Sequence, residues 1–135
     1  MTKDKLRLRR VGDDTVICDT LVMGESFWQR FVGLMGRASM PVREGLYLPA
    51  NSIHMMFMRF PIDALFVSKE DGEGLRSVVR LRPELPAWRG VVMPVRGAEG
   101  VIEMPAGTLE RLGVMEGDRV VFEPVPMATE VAAAK

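Results

Sequence analysis

The chain has one histidine, His54, and one cysteine, Cys18, among 135 residues. That scarcity excludes a histidine-rich metal centre, a cysteine zinc cluster and an intrachain disulfide. Neither sign of charge is in excess, because Lys plus Arg and Asp plus Glu both total 18. Such a balance gives no general attraction to nucleic acid or to an acidic membrane, so neither is expected as a partner. Long apolar runs are missing too. The longest uncharged stretch, residues 45–58 (GLYLPANSIHMMFM), is broken by Pro49 and Asn51. It falls short of the roughly 18 to 20 residues a membrane-spanning helix needs. The start, MTKDKLRLRR, is charged with no apolar stretch behind it, unlike a secretory signal, and a cytoplasmic protein is expected. G-x-S-x-G, G-x-x-x-x-G-K and strand-linked G-x-G-x-x-G signatures are absent, and no cofactor is expected.

What is present reads as one compact domain, with 47% hydrophobic and 27% charged residues. Most apolar runs are four to eight residues long and bounded by Gly, Pro or Asp, the pattern of strands. KLRLRR, TVICDTLVM, GLYL, SIHMMFM, DALFVS, LRSVVRL, GVVM, GVIEM and DRVVFE are the predicted strands. Turns are expected at residues 12–14, 71–74 and 116–118. Cys18 reads as a small buried apolar residue within its strand.

Two segments depart from the strand pattern. In ESFWQRFVGLMGR, Ser26 and Gln29 form a capping-box signature, with Phe27, Phe31 and Leu34 on one helical face and Gly36 as the stop. In PAGTLERLG, Pro105 can start a helix, Leu109 and Leu112 recur at helical spacing, and Gly113 ends it. The expectation is a mainly β fold, barrel or sandwich-like, with two short helices, over residues 1–123. Residues 124–135 read as a flexible tail. Phe27, Phe31, Leu34, Phe57, Phe66 and Ile102 are the predicted core.

Three ordered motifs, ESFWQRFVGLMGR, SIHMMFMRFPIDALFV and GVIEMPAGTLERLGVMEGDRV, resemble the bacterial and archaeal family called domain of unknown function 192 over about residues 15–122. The resemblance implies a small β-barrel or sandwich-like fold with short helices. It implies no settled activity, substrate or catalytic residue. Met55 and Met56 stand where relatives usually carry threonine or an aromatic residue, so a methionine-based site would be particular to this chain.

The histidine sits in NSIHMMFMRFPIDALFV, nine residues ahead of Asp63. If SIHMMFM and DALFVS form an antiparallel hairpin with Met58 opposite Asp63, then His54 lies about 13 Å from Asp63 at roughly 3.3 Å per residue. A catalytic dyad needs about 3 Å. Asp63 after Pro61 instead suits a corner, where its carboxylate accepts backbone N–H groups. His54, Met56 and Met58 alternate on one face and could offer monovalent copper a soft site, but methionine is also a common core filler, and 11 are spread along the chain. No metal is expected.

Arginine forms the second constellation. Arg76, Arg80, Arg82, Arg89 and Arg96 fall within a segment whose only acid is Glu84, with Trp88 among them. Guanidinium groups beside an indole suit a phosphate, a carboxylate or a sugar acid, although one wet sheet face would show the same alternation. Arg37 and Arg59 each follow apolar residues, and Glu103 is their candidate partner. Arg37, His54, Arg59, Asp63 and Glu103 around one groove would make a polar site in an apolar barrel, the best functional location in the sequence. Arg80, Arg82, Trp88 and Arg96 form the second candidate.

The expected role is non-enzymatic binding of a small polar or anionic ligand or of a protein partner. The alternatives are an enzyme using His54 as acid or base with Asp63 or Glu103, and an interaction module whose sheet edge accepts a strand.

Overall fold

The computed structural model describes residues 5–23, 40–55 and 58–126, with His54 described by its backbone. The predicted helix around Phe27, Phe31 and Leu34 lies outside these residues, as do Arg37, Met56, Phe57 and the tail beyond Pro126. Nine strands and one short helix make up the described elements. They are β1 (Leu6–Arg10), β2 (Val16–Met23), β3 (Glu44–Leu48), β4 (Ile53–His54), β5 (Ile62–Val67), β6 (Arg76–Leu85), β7 (Val91–Val92), β8 (Gly100–Pro105), α1 (Thr108–Leu112) and β9 (Arg119–Pro124).

Seven strands close into a barrel in the order β1-β2-β3-β8-β5-β6-β9, and β4 pairs with β7 as a separate ribbon. Every pairing in the barrel is antiparallel except β2 with β3, whose register runs from Thr20↔Glu44 to Met23↔Tyr47. The tight connections follow the predicted chemistry. Gly12 and Asp14 take positive φ between β1 and β2, and Asp71 accepts the amides of Glu73 and Leu75 at 2.8 and 3.0 Å between β5 and β6. Gly113 caps α1 in the left-handed conformation, as its position predicts.

Strand periodicity sorts the apolar residues into two clusters. Leu8, Ile17, Leu65, Ile102, Met104 and Val120 fill the barrel interior, where Cys18 is fully buried and its thiol is pushed up to about 12 by that burial. Leu46, Ile62, Ala64, Phe66 and Val101 face the opposite side of the same sheet, under Met40, Met55, Met58, Phe60 and Val92. Phe66 and Ile102 are both core residues, as expected, but of different clusters. All six residues of β5 are buried because one face lines the barrel and the other lies beneath this outer layer.

Two local expectations are corrected. Pro105 does not start the helix; it ends β8 opposite Ile62, and α1 begins at Thr108 after Gly107 at φ 94°. The hairpin between SIHMMFM and DALFVS does not form either. Among the described residues, only Ile53 and His54 of the first segment are in a strand, and they pair with Val92 and Val91. The physical reason is competition, since β8 takes one edge of β5 through six register pairs and β6 takes the other. Among the described residues, no helix is long and apolar enough to cross a membrane.

One glycine is fixed by a close approach. A Cβ on Gly100 would collide with the Tyr47 ring, which meets Phe122 edge-on at 5.1 Å and lies under the Arg76 guanidinium at 5.5 Å. Gly100→Ala is therefore expected to destabilise the fold by about 1–3 kcal/mol through overpacking. Urea unfolding checks this, and an unchanged midpoint would show that Tyr47 can move freely.

Candidate ligand site at Glu103

Glu103 sits in the middle of β8 with Leu46 of β3 opposite on one side and Ala64 of β5 on the other. Directly paired residues share a sheet face, so its carboxyl lies on the side of the outer cluster and away from the barrel interior. It is 5% exposed. Burial in apolar surroundings pushes the carboxyl from 4.5 up to about 7. No hydrogen bond or ion pair reaches it among the described residues.

The same row continues from Ala64 to Arg82 on β6. Two strand spacings separate Glu103 and Arg82 by about 10 Å between Cα atoms, with only a methyl group between them. Arg80 stands opposite Phe66 on the same face, and both arginines are exposed. A buried carboxyl thus lies in line with the exposed Arg82 across Ala64, and the exposed Arg80 stands in the adjacent row, across Phe66 from Val101.

Asp63 belongs to the other face. Paired with Met104 and fully buried, it points toward the barrel side, where Oδ1 accepts Glu84 N–H at 2.8 Å and Oδ2 accepts Leu109 N–H at 2.9 Å. The predicted backbone-acceptor role is what the geometry displays. Opposite faces of one sheet therefore separate Asp63 from Glu103 and from the ribbon that carries His54. The five-residue groove read from the sequence is not assembled as a unit. Arg59 is exposed, Glu103 owes its raised pKa to burial alone with no guanidinium opposing it, and Arg37 lies outside the described residues.

The arginine segment is divided as well. Arg76 is structural, donating to Glu99 at 3.1 Å and to the Ser68 carbonyl at 3.0 Å while its guanidinium stacks 4.7 Å from the Phe122 ring. Trp88, 55% exposed at φ 67°, lies on the turn before β7, and the exposed Arg96 follows β7. They flank the ribbon instead of joining the Glu103 row. Met58 is packed in the outer cluster at 2% exposure, while Met56 and the His54 side chain lie outside the described residues. Among the described residues, no group of three His, Cys, Asp or Glu side chains is placed to hold a metal ion.

Sequence reading missed one residue, Glu84, which has a positive φ of 52° next to Pro83 within a β6 bulge. A proline inside an otherwise alternating strand was the available signal.

Known proteins place this fold and its motifs among relatives. A crystal structure from Sinorhizobium meliloti, for which a role as a transcription regulator has been suggested, superposes with a TM-score of 0.62 at 24% identity, covering 90% of this chain and 94% of that one. At that identity the likeness concerns the fold alone. A UPF0127 protein of Thermococcus sibiricus is 34% identical over 75% of this chain, and one of Pyrococcus furiosus is 37% identical over 71%. The match spans 64% of the Thermococcus protein and 80% of the Pyrococcus protein. Residues 10–122, which include the Glu103 strand, Asp63 on β5 and the whole barrel from β2 to β8, match the family described as uncharacterized ACR, and the chain therefore belongs to domain of unknown function 192.

Proposed function

We propose that this chain is a non-enzymatic binding domain whose site is centred on Glu103 and takes a small polar ligand. The observation that carries the reading is a carboxyl that is 5% exposed and lacks a partner among the described residues. Desolvating such a group costs free energy, and its neighbours Leu46 and Ala64 offer no side-chain donor in return. Side chains that oppose stability are expected chiefly where function retains them. An amine, amide or hydroxyl on a ligand would supply the missing hydrogen bond. The guanidinium groups of Arg82 and Arg80 would take an anionic end. A molecule with a donor at one end and a carboxylate or phosphate at the other satisfies both.

A cytoplasmic setting belongs to the same proposal, and so does the lack of affinity for duplex nucleic acid, the latter on the balanced charge. Strand addition is disfavoured. Among the described residues β6 has no partner strand on its β9 side beyond Ser77, but Pro83 lacks an N–H there and blunts the edge.

Thermal unfolding with a panel of amino acids, amines and phosphorylated small molecules tests the site. A ligand at 100 times its Kd should add about 2.7 kcal/mol to the wild type and much less to Glu103→Gln. Equal stabilisation of both, or none by any compound, would reject Glu103 as the centre. One observation favours a second reading: a carboxyl at about 7 is also suited to general acid–base work. Following any bound compound by NMR separates the two, because an enzyme would consume it.

A further inference from the structure

A groove of about 350 Å³ opens on another part of the molecule, between the distal half of β6 and α1. Its volume lies within the range of small-molecule sites. Leu81, Leu109 and Val114 supply apolar surface, and Met115 stands at the edge with 67% of its surface exposed. Glu84 on one wall and Glu110 on the other are exposed, and neither is in an ion pair among the described residues. Among those residues, no lysine or arginine lines the groove.

Both walls are held by one buried group. Asp63 Oδ1 accepts Glu84 N–H and Oδ2 accepts Leu109 N–H, so a single carboxylate ties β6 to α1 beneath the groove. Glu84 is kept at φ 52°, in the left-handed region that costs a residue with a side chain free energy. Strain of this kind persists where surrounding structure over-determines it, and it clusters at ligand clamps.

We infer that the groove between β6 and α1 binds a small organic cation with an apolar body, its ammonium held between Glu84 and Glu110 and its hydrocarbon laid over Leu81, Leu109 and Val114. Charge complementarity selects this occupant, because an anion would meet two carboxylates and a neutral hydrocarbon would leave them unanswered. The site is independent of Glu103, which lies on β8 on the other side of the sheet.

Amide chemical shifts of the full chain, titrated with n-hexylammonium, n-hexanol and n-hexanoate, provide the test. n-Hexylammonium should shift the amides of Glu84, Leu109, Glu110 and Met115 and bind about tenfold more tightly than hexanol, the size expected for two exposed charge contacts. That advantage should shrink at high salt and vanish in the doubly substituted Glu84→Gln, Glu110→Gln chain. Both substituted side chains are exposed, so the fold should survive, and an unchanged spectrum away from the groove checks this. Equal binding of hexanol or hexanoate, shifts centred elsewhere, or no binding of any probe would overturn the assignment.

Discussion

Asp63→Ala is expected to destabilise the protein by about 3–5 kcal/mol, because two backbone donors would lose a charged acceptor in a place water does not reach. The carboxylate is fully buried and bonds Glu84 N–H at 2.8 Å and Leu109 N–H at 2.9 Å. Hydrogen bonds to a charged group are worth about 1.5–3 kcal/mol each, and an unsatisfied buried N–H adds its own penalty. Asp63→Asn should fall between wild type and alanine. Its amide offers one acceptor oxygen and turns an NH2 group toward the other donor. Urea unfolding monitored by circular dichroism should show a lower midpoint at nearly constant slope. A loss below about 1 kcal/mol for the alanine variant would mean that β6 and α1 are held together by apolar contact alone. Hydrogen exchange at the Glu84 and Leu109 amides should accelerate in either variant before global unfolding does.

Glu103→Gln is expected to act in the opposite direction, and only above a certain pH. The folded carboxyl titrates at about 7 against 4.5 as an ordinary glutamate. Between those values the folded state binds the proton and the unfolded state does not, so wild-type stability falls as pH rises. The penalty is absent below about 4.5, grows through the interval and is complete above about 7. A tenfold change in proton affinity corresponds to about 1.4 kcal/mol, which makes the full penalty on the order of 3 kcal/mol. Glutamine keeps the shape and removes the charge. The variant should match wild type near pH 4.5 and exceed its stability by roughly that amount near pH 8. Ion-paired acids such as Glu123, held low by Arg9 and Arg7, work in another window: their stabilisation is lost only as pH falls below the ordinary carboxylate range. Denaturation series across pH for both proteins separate the two effects. A variant no more stable than wild type at pH 8 would show that Glu103 has found a compensating partner.

Much of the local structure was legible in the chain itself. Short apolar runs in KLRLRR, TVICDTLVM, DALFVS and DRVVFE, bounded by Gly, Asp and Pro and rich in branched and aromatic residues, specify strands because such side chains fit a pleated backbone. Gly113 marked the end of α1, since a left-handed cap is nearly free of strain only for glycine. Asp63 was readable as a backbone acceptor from its place after Pro61, and Cys18 as an interior residue from its strand. These inferences depend on neighbours within a few residues.

Partner choice in the sheet was not legible. Nothing local tells β5 to pair with β8, about forty residues on, instead of with the segment just before it. That choice put Asp63 and Glu103 on opposite faces of one sheet, although they lie on neighbouring strands. It also placed Arg82 in line with Glu103 across Ala64, and it left the end of β6 open toward α1. By itself the sequence determined most of the strands and their turns, the end of the short helix at Gly113 and the chemistry each side chain can perform. Only the tertiary structure decided which of those side chains meet, because pairing and burial are set by contacts between residues far apart in the chain.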